Sequence, residues 1–233
     1  MHARYAQDQT PLHVASQLGQ VHVMESLITG GANLSAENDF KETPLFLAAK
    51  NGNLRATQLL LERRVEVDHQ DWEKRTPLQR ASENGHHTVV SLLLKSRANC
   101  ETKNVYSWTA LHLASRGGKR EVVEVLLRSG DADINVPNDF GRTALHMASQ
   151  QGHEEVVKLL LSHKAAVDIR EARGETALHL AAYYGHARVA QQLIRRGADP
   201  RIVNHRHRTA LDLAKCEGHR DIVRLLEAEI KIR

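Results

Sequence analysis

Histidine is the side chain best suited to acid–base and metal chemistry near neutral pH, and this chain of 233 residues carries 15 of them. Clustered, they could ligate a metal or relay protons. Their spacing points elsewhere. His13, His112, His146 and His179 each stand three residues after a threonine, and His86, His153, His186 and His219 each follow a glycine. Residues that recur in phase read as framework, with ring nitrogens satisfying local backbone groups. His205 and His207 alternate near the C-terminus, but two ligands without a third make a poor metal site. The chain has no Gly-rich phosphate loop and no His-Glu-x-x-His helix, and its Ser, His and acidic residues form no recognisable nucleophile arrangement. Cys100 and Cys216 lie far apart without metal-type spacing and read as free thiols of a reducing compartment. No catalysis, metal or cofactor is expected.

The elements behind this phasing are seven copies of one unit. The tetrad Thr10-Pro11-Leu12-His13 returns at Thr43, Thr76, Thr109, Thr143, Thr176 and Thr209, with spacings of 33, 33, 33, 34, 33 and 33 residues. The extra residue is Asp131, between Gly130 and Ala132. A glycine stands nine residues after each threonine, from Gly19 to Gly218. Thr is a good N-cap and Pro fits the first helical position. Leu at Thr+2 and Ala at Thr+5 share a helix face, and the glycine at Thr+9 stops the helix in the left-handed conformation. A second amphipathic run follows, as in Val156-Val157-Lys158-Leu159-Leu160-Leu161. An Asn- and Asp-rich turn then leads to the next copy. Neither helix is long enough to persist alone, so each pair must stack on its neighbours.

On the tetrad, the glycine and the period, the chain resembles the ankyrin repeat family over roughly residues 5 to 230. The resemblance implies an all-α fold, a solenoid of helix-turn-helix units with projecting β-hairpin loops. It implies one domain spanning 1–233, with repeats at about 5–37, 38–70, 71–103, 104–137, 138–170, 171–203 and 204–233. Hairpin tips and first helices would line a concave face. Asn135, after Asp133-Ile134, resembles hairpin asparagines that are hydroxylated in some members.

Departures from the pattern carry their own expectations. The second helix ends on Gly31, Gly130 and Gly197 in three repeats, but on Arg64, Arg97 and Lys164 in others. A side chain in the left-handed region costs on the order of 1 kcal/mol, so repeats two, three and five should be the less stable. The last repeat has Asp212 for His, with Lys215, Glu217 and Arg220, which suits a unit facing water. The first shows no comparable polar cap, which leaves open that this chain is part of a larger protein.

Positions that vary while the framework holds are free to serve binding. These are Thr−4, Thr−3, Thr−1, Thr+7 and Thr+8. They begin with Ala6, Gln7, Gln9, Gln17 and Leu18 in repeat one. The chain has 3 Phe, 2 Trp and 4 Tyr, and seven of these nine fall on such positions: Phe40, Trp72, Tyr106, Trp108, Phe140, Tyr183 and Tyr184. Chance placement would put about one or two there, and exposed aromatics are the material of interface hot spots. Phe40 and Phe140 are the two best explained by packing on a neighbouring hairpin. Trp72, Tyr106 and Trp108 are the expected anchors, flanked by Arg75, Arg116, Arg142 and Arg173, which can pair with carboxylates and stack on rings.

The expected function is therefore a protein–protein interaction module, adaptor- or scaffold-like. Its partner would be a protein or peptide with apolar anchors and some acidic residues. A structural spacer, or an accessory regulatory domain of a larger enzyme or channel, is the alternative. The net charge of +4 calls for no nucleic-acid partner. From Arg188 to Arg224 nine basic residues face four acidic ones, either a solvated end or a dock for an acidic segment. No apolar run could span a bilayer and no secretory signal is visible. A monomer of the cytoplasm, with the nucleus possible, is expected.

Overall fold

A computed structural model describes residues 8–232, so the repeat-one hairpin positions Ala6 and Gln7 lie outside the described residues. Fourteen helices and no extended strands occur among those described. They follow one another in pairs: α1 (Pro11–Leu18) with α2 (Val21–Thr29), α3 (Pro44–Lys50) with α4 (Leu54–Glu62), and α5 (Pro77–Asn84) with α6 (His87–Lys95). Next come α7 (Ala110–Arg116) with α8 (Arg120–Ser129) and α9 (Ala144–Gln151) with α10 (Glu154–Ser162). The last are α11 (Ala177–Tyr183) with α12 (Ala187–Arg195), and α13 (Ala210–Cys216) with α14 (Arg220–Ile232). Two compact units divide within the fourth pair. Unit 1 comprises residues 1–114 and 124–132, unit 2 residues 115–123 and 133–233. No helix is long and apolar enough to cross a membrane among the described residues.

Caps explain where the first helices begin and end. Thr10 takes an extended backbone (φ −80°) and its hydroxyl accepts from the His13 N–H; Thr43, Thr76 and Thr209 cap their helices in the same way. The Thr+9 glycine is left-handed in every repeat, as Gly152 at φ 74° illustrates. A Cβ there would come within 2.5 Å of the His186 ring, so both the angle and the space require glycine. The second helices end as expected, with Arg64, Arg97 and Lys164 at φ 58°, 66° and 64° in the left-handed region that glycine occupies elsewhere.

Within unit 1 the first helices stack in the order α1, α3, α5 and the second helices α2, α4, α6. Unit 2 repeats this with α9, α11, α13 and α10, α12, α14. The core between the layers is the aliphatic set that the period singles out. Leu45, Leu60, Leu78 and Leu93 are buried in unit 1, and Leu145, Leu160, Leu178 and Leu193 in unit 2.

Two sets of histidines clamp neighbouring repeats. His146 Nδ1 accepts from the Thr143 backbone N–H (3.2 Å), and its Nε2 reaches the Glu175 carbonyl of the next repeat (3.2 Å). His13 bridges Thr10 and the Glu42 carbonyl alike, and His179 bridges Thr176 and the Arg208 carbonyl. Gln79 does the same work with its amide, reaching the Trp108 carbonyl at 2.9 Å. The histidines after the glycines reach backward. His86, His153, His186 and His219 contact the carbonyls of Lys50, Arg116, Gln150 and Tyr183. These rings are occupied by backbone, as the spacing implied. Burial pushes the His146 imidazole down to about 4 and lowers that of His179, so both work as neutral rings.

Candidate hairpin and inner-helix surface

From the second repeat onward, each connection into a first helix is a tight hairpin built on one buried polar side chain. In the second repeat Asn38 Oδ1 accepts from the backbone N–H groups of Phe40 and Glu42, both at 2.9 Å, while the Lys41 N–H closes onto the Asn38 carbonyl. Asp71, Asn104, Asn138, Glu171 and Asn204 occupy the same place, and all are buried. Two residues before each threonine the chain turns through the left-handed region, at Lys41, Lys74, Ser107 and His207 (φ 57°, 57°, 56° and 55°) and at Gly141 and Gly174. That turn lifts the Thr−4 and Thr−3 side chains away from the helices. The hairpins are therefore present as turns, with legs too short for a regular strand ladder.

Adjacent hairpins are tied by backbone. The Trp72 N–H donates to the Phe40 carbonyl (3.2 Å) and the Val105 N–H to the Glu73 carbonyl (3.1 Å) in unit 1. In unit 2 Ala172 donates to Phe140 (2.9 Å) and His205 to Arg173 (2.9 Å). Rows of tips held this way are pre-positioned, which limits the entropy lost when a partner binds.

In unit 1, Trp72 is 59% exposed and Tyr106 53% exposed. Trp108 is half-buried, its ring 6.3 Å from that of Tyr106 and tilted by 53°. Phe40 is exposed at its own tip, joined to the next hairpin by its carbonyl. Arg75 is half-buried and held within its hairpin. Its Nε donates to Asp71 Oδ2 (2.8 Å) and a terminal nitrogen pairs with Glu73.

In unit 2, Phe140 is 51% exposed, and Tyr183 and Tyr184 stand exposed at the end of α11 with ring centroids 5.0 Å apart, edge to face. Tyr184 stacks on His186, and its hydroxyl accepts from Gln150 Nε2 (3.0 Å). Arg142 is half-buried, donating from Nε to Glu171 (3.3 Å) and from a terminal nitrogen to Gln150 (3.0 Å). Arg173 and Arg116 are exposed. A cleft of about 440 Å³ opens between hairpins and first helices, lined by Arg142, Arg173, Tyr183, Tyr184, Arg206 and Arg208 among others.

The structure thus separates the expected residues into two groups. Phe40, Trp72, Tyr106 and Trp108 sit on unit 1, and Phe140, Arg142, Arg173, Tyr183 and Tyr184 on unit 2. Arg75 and Arg142 are engaged with carboxylates of their own chain. Position Thr−1 turns out to serve the fold as well, because its carbonyl is what the preceding repeat's His or Gln reaches. Sequence reasoning missed the buried hairpin polar residue and the left-handed Thr−2 position. The signal was there: Asn38, Asn104, Asn138 and Asn204 recur in phase, and Gly141 and Gly174 mark the turn. The sequence places Arg206 and Arg208 at the variable Thr−3 and Thr−1 positions without singling them out, and both line the cleft. Cys100 is buried, and burial together with Glu101 and Asp131 lifts its thiol to about 11. It is a packing residue, inert as a nucleophile.

A family model described as ankyrin repeats (3 copies) matches residues 12–104, 96–171 and 164–233. Among solved structures, the ankyrin repeat domain of Bcl-3, a member of the IkappaB protein family, is similar at 31% identity and a TM-score of 0.80, over 93% of this chain and 98% of that one. The human ASB11 ankyrin repeat domain is similar at 28% identity and a TM-score of 0.84, over 92% of this chain and 97% of that one. A sequence search of curated proteins gives no match.

Proposed function

We propose that this chain, which belongs to the ankyrin repeat family, recognises a partner protein through its hairpin tips and first helices, in the manner of an adaptor. Ankyrin repeat domains are generally protein–protein interaction modules; the surface and the chemistry of the partner are our reading. The carrying observation is that Trp72 and Tyr106 stand exposed on adjoining hairpins while the aliphatic core is complete without them. Large rings held out into water have no folding role to offset their exposure, and they supply most of the binding energy where interfaces form. The partner segment accordingly carries apolar side chains for Trp72, Tyr106 and Trp108. For unit 2, taken by itself, the partner presents acidic side chains to the exposed arginines, since guanidinium groups pair bidentately with carboxylates.

The test compares the wild-type chain with a Trp72→Ala, Tyr106→Ala, Trp108→Ala variant of unchanged helicity, each used to capture proteins from lysate. Losing one such anchor removes about 2–4 kcal/mol of binding. A partner held by wild type should therefore be lost by the variant and weakened at least about 30-fold by Trp72→Ala alone. A partner held equally by all three chains would rule this surface out.

A further inference from the structure

Three arginines of unit 2 form no ion pair among the described residues, although Arg208 acts electrostatically on Asp212, a carboxylate outside the cleft lining that Lys215 acts on as well. Arg173, in the sixth hairpin, and Arg206 and Arg208, in the seventh, are exposed, and none of their guanidinium groups is ion-paired among the described residues. Other arginines of the chain are engaged, such as Arg75 with Asp71 and Glu73, Arg128 with Glu124, and Arg142 with Glu171. The three unpaired ones line the same cleft of about 440 Å³. The one carboxylate lining it, Glu175, accepts from Asn204 Nδ2 (3.3 Å) and reaches no arginine. Among the side chains that line the cleft, with Arg142 already balanced by Glu171, three guanidinium groups against one carboxylate leave a surplus of two positive charges.

One side-chain carboxylate would meet half of that surplus. A phosphorylated side chain carries about −1.5 to −2 at neutral pH, on three acceptor oxygens. Arginine is the residue whose planar fork matches phosphate in two parallel hydrogen bonds. The Tyr183 and Tyr184 rings form an aromatic wall of the cleft, suited to the apolar stem or ring that carries the phosphate. Resting on the reading that hairpins and first helices bind a partner segment, we propose that this cleft receives a phosphorylated Ser, Thr or Tyr side chain of that segment. Arg173, Arg206 and Arg208 hold the phosphate oxygens.

The experiment titrates the full chain into fluorescein-labelled degenerate nonapeptide pools, followed by anisotropy at physiological salt. The pools carry Ser, phosphoserine, phosphothreonine, phosphotyrosine or a Glu-Glu pair at the centre. At least one phosphorylated pool should bind about ten-fold or more tightly than both the Ser and the Glu-Glu pools. An Arg206→Ala, Arg208→Ala chain should lose that preference, and so should Arg173→Ala. All three side chains are exposed, so circular dichroism should match wild type. Phosphorylated pools bound no better than Glu-Glu would overturn the proposal in favour of a general acidic site. Equal competition by random single-stranded DNA would overturn it in favour of unspecific polyanion attraction. If the pools fail while Trp72→Ala still loses a captured partner, only this proposal falls. If a phosphorylated pool binds while the Trp72, Tyr106 and Trp108 variant keeps its partner, the aromatic anchors fall instead.

Discussion

Acid should weaken this fold through one buried ring, and His146→Gln should remove much of that weakness. His146 is 1% exposed, accepts a hydrogen bond at Nδ1 from the Thr143 N–H, and reaches the Glu175 carbonyl through Nε2. Burial lowers its proton affinity from the ordinary 6.5 to about 4. In the unfolded chain the ring takes up a proton near pH 6.5, while the folded chain refuses it until about pH 4. Its contribution is therefore full above pH 6.5 and declines as pH falls toward 4. At about 1.36 kcal/mol per unit, the 1.5 units between pH 6.5 and pH 5 cost about 2 kcal/mol, and the loss levels off near 3 kcal/mol. His179 is shifted in the same direction by the same cause and adds to the slope. Glutamine is the right replacement because Gln79 already fills this role with an amide that does not titrate. Urea denaturation at pH 7.5 and pH 5 measures it. Wild type should lose about 2 kcal/mol more than His146→Gln across that range. Parallel losses would show that the ring is not neutral in the folded chain and would refute the clamp as described.

Four further outcomes follow from the same comparison of repeats. Lys164→Gly and Arg97→Gly should each stabilise by about 0.5–1 kcal/mol, since both residues are left-handed where other repeats use glycine. Amide exchange should find repeats two, three and five opening more readily than the others, and uniform protection would contradict this. The Ser82 and Ser149 hydroxyls are buried without a hydrogen-bond partner among the described residues, at positions where Ala49 and Ala182 stand in other repeats. Ser82→Ala and Ser149→Ala should raise stability by about 0.5–1 kcal/mol each in urea titrations. Val23 is 47% exposed and Val156, at the same position of the repeat, only 1%. Val156→Ala should cost about 2 kcal/mol and Val23→Ala under about 0.5 kcal/mol, read by thermal unfolding.

The helices were legible because each is specified several times over. Thr10 caps, Pro11 opens, Leu12 and Ala15 face the core, and Gly19 closes. These local signals agree with the repeat period, which is the consistency that makes a fold readable. The hairpins were less legible. Their shape depends on one buried side chain and one left-handed residue. The latter is Asp8, Lys41, Lys74, Ser107 or His207 in repeats without a glycine there, and Lys and Ser in particular do not announce such a backbone angle. The aromatics could be placed by register alone, and the structure does expose Trp72, Tyr106, Phe140, Tyr183 and Tyr184. Which arginines are free could not be read that way. Arg75 and Arg208 share a position in the repeat, yet Asp71 and Glu73 engage the first while the second lines the cleft and makes no ion pair among the described residues. Side-chain pairing depends on neighbours two and four residues away and in the next repeat, and register carries no such information.

Hydrogen exchange on the chain with and without its captured partner tests most directly whether hairpin tips and first helices form the binding surface. Protection should rise in the hairpin segments 72–75 and 105–108 and at the ends of the adjoining first helices, leaving α2, α4 and α6 unchanged. Protection gathered on α2, α4 and α6, with the hairpins exchanging as in the free chain, would contradict the account.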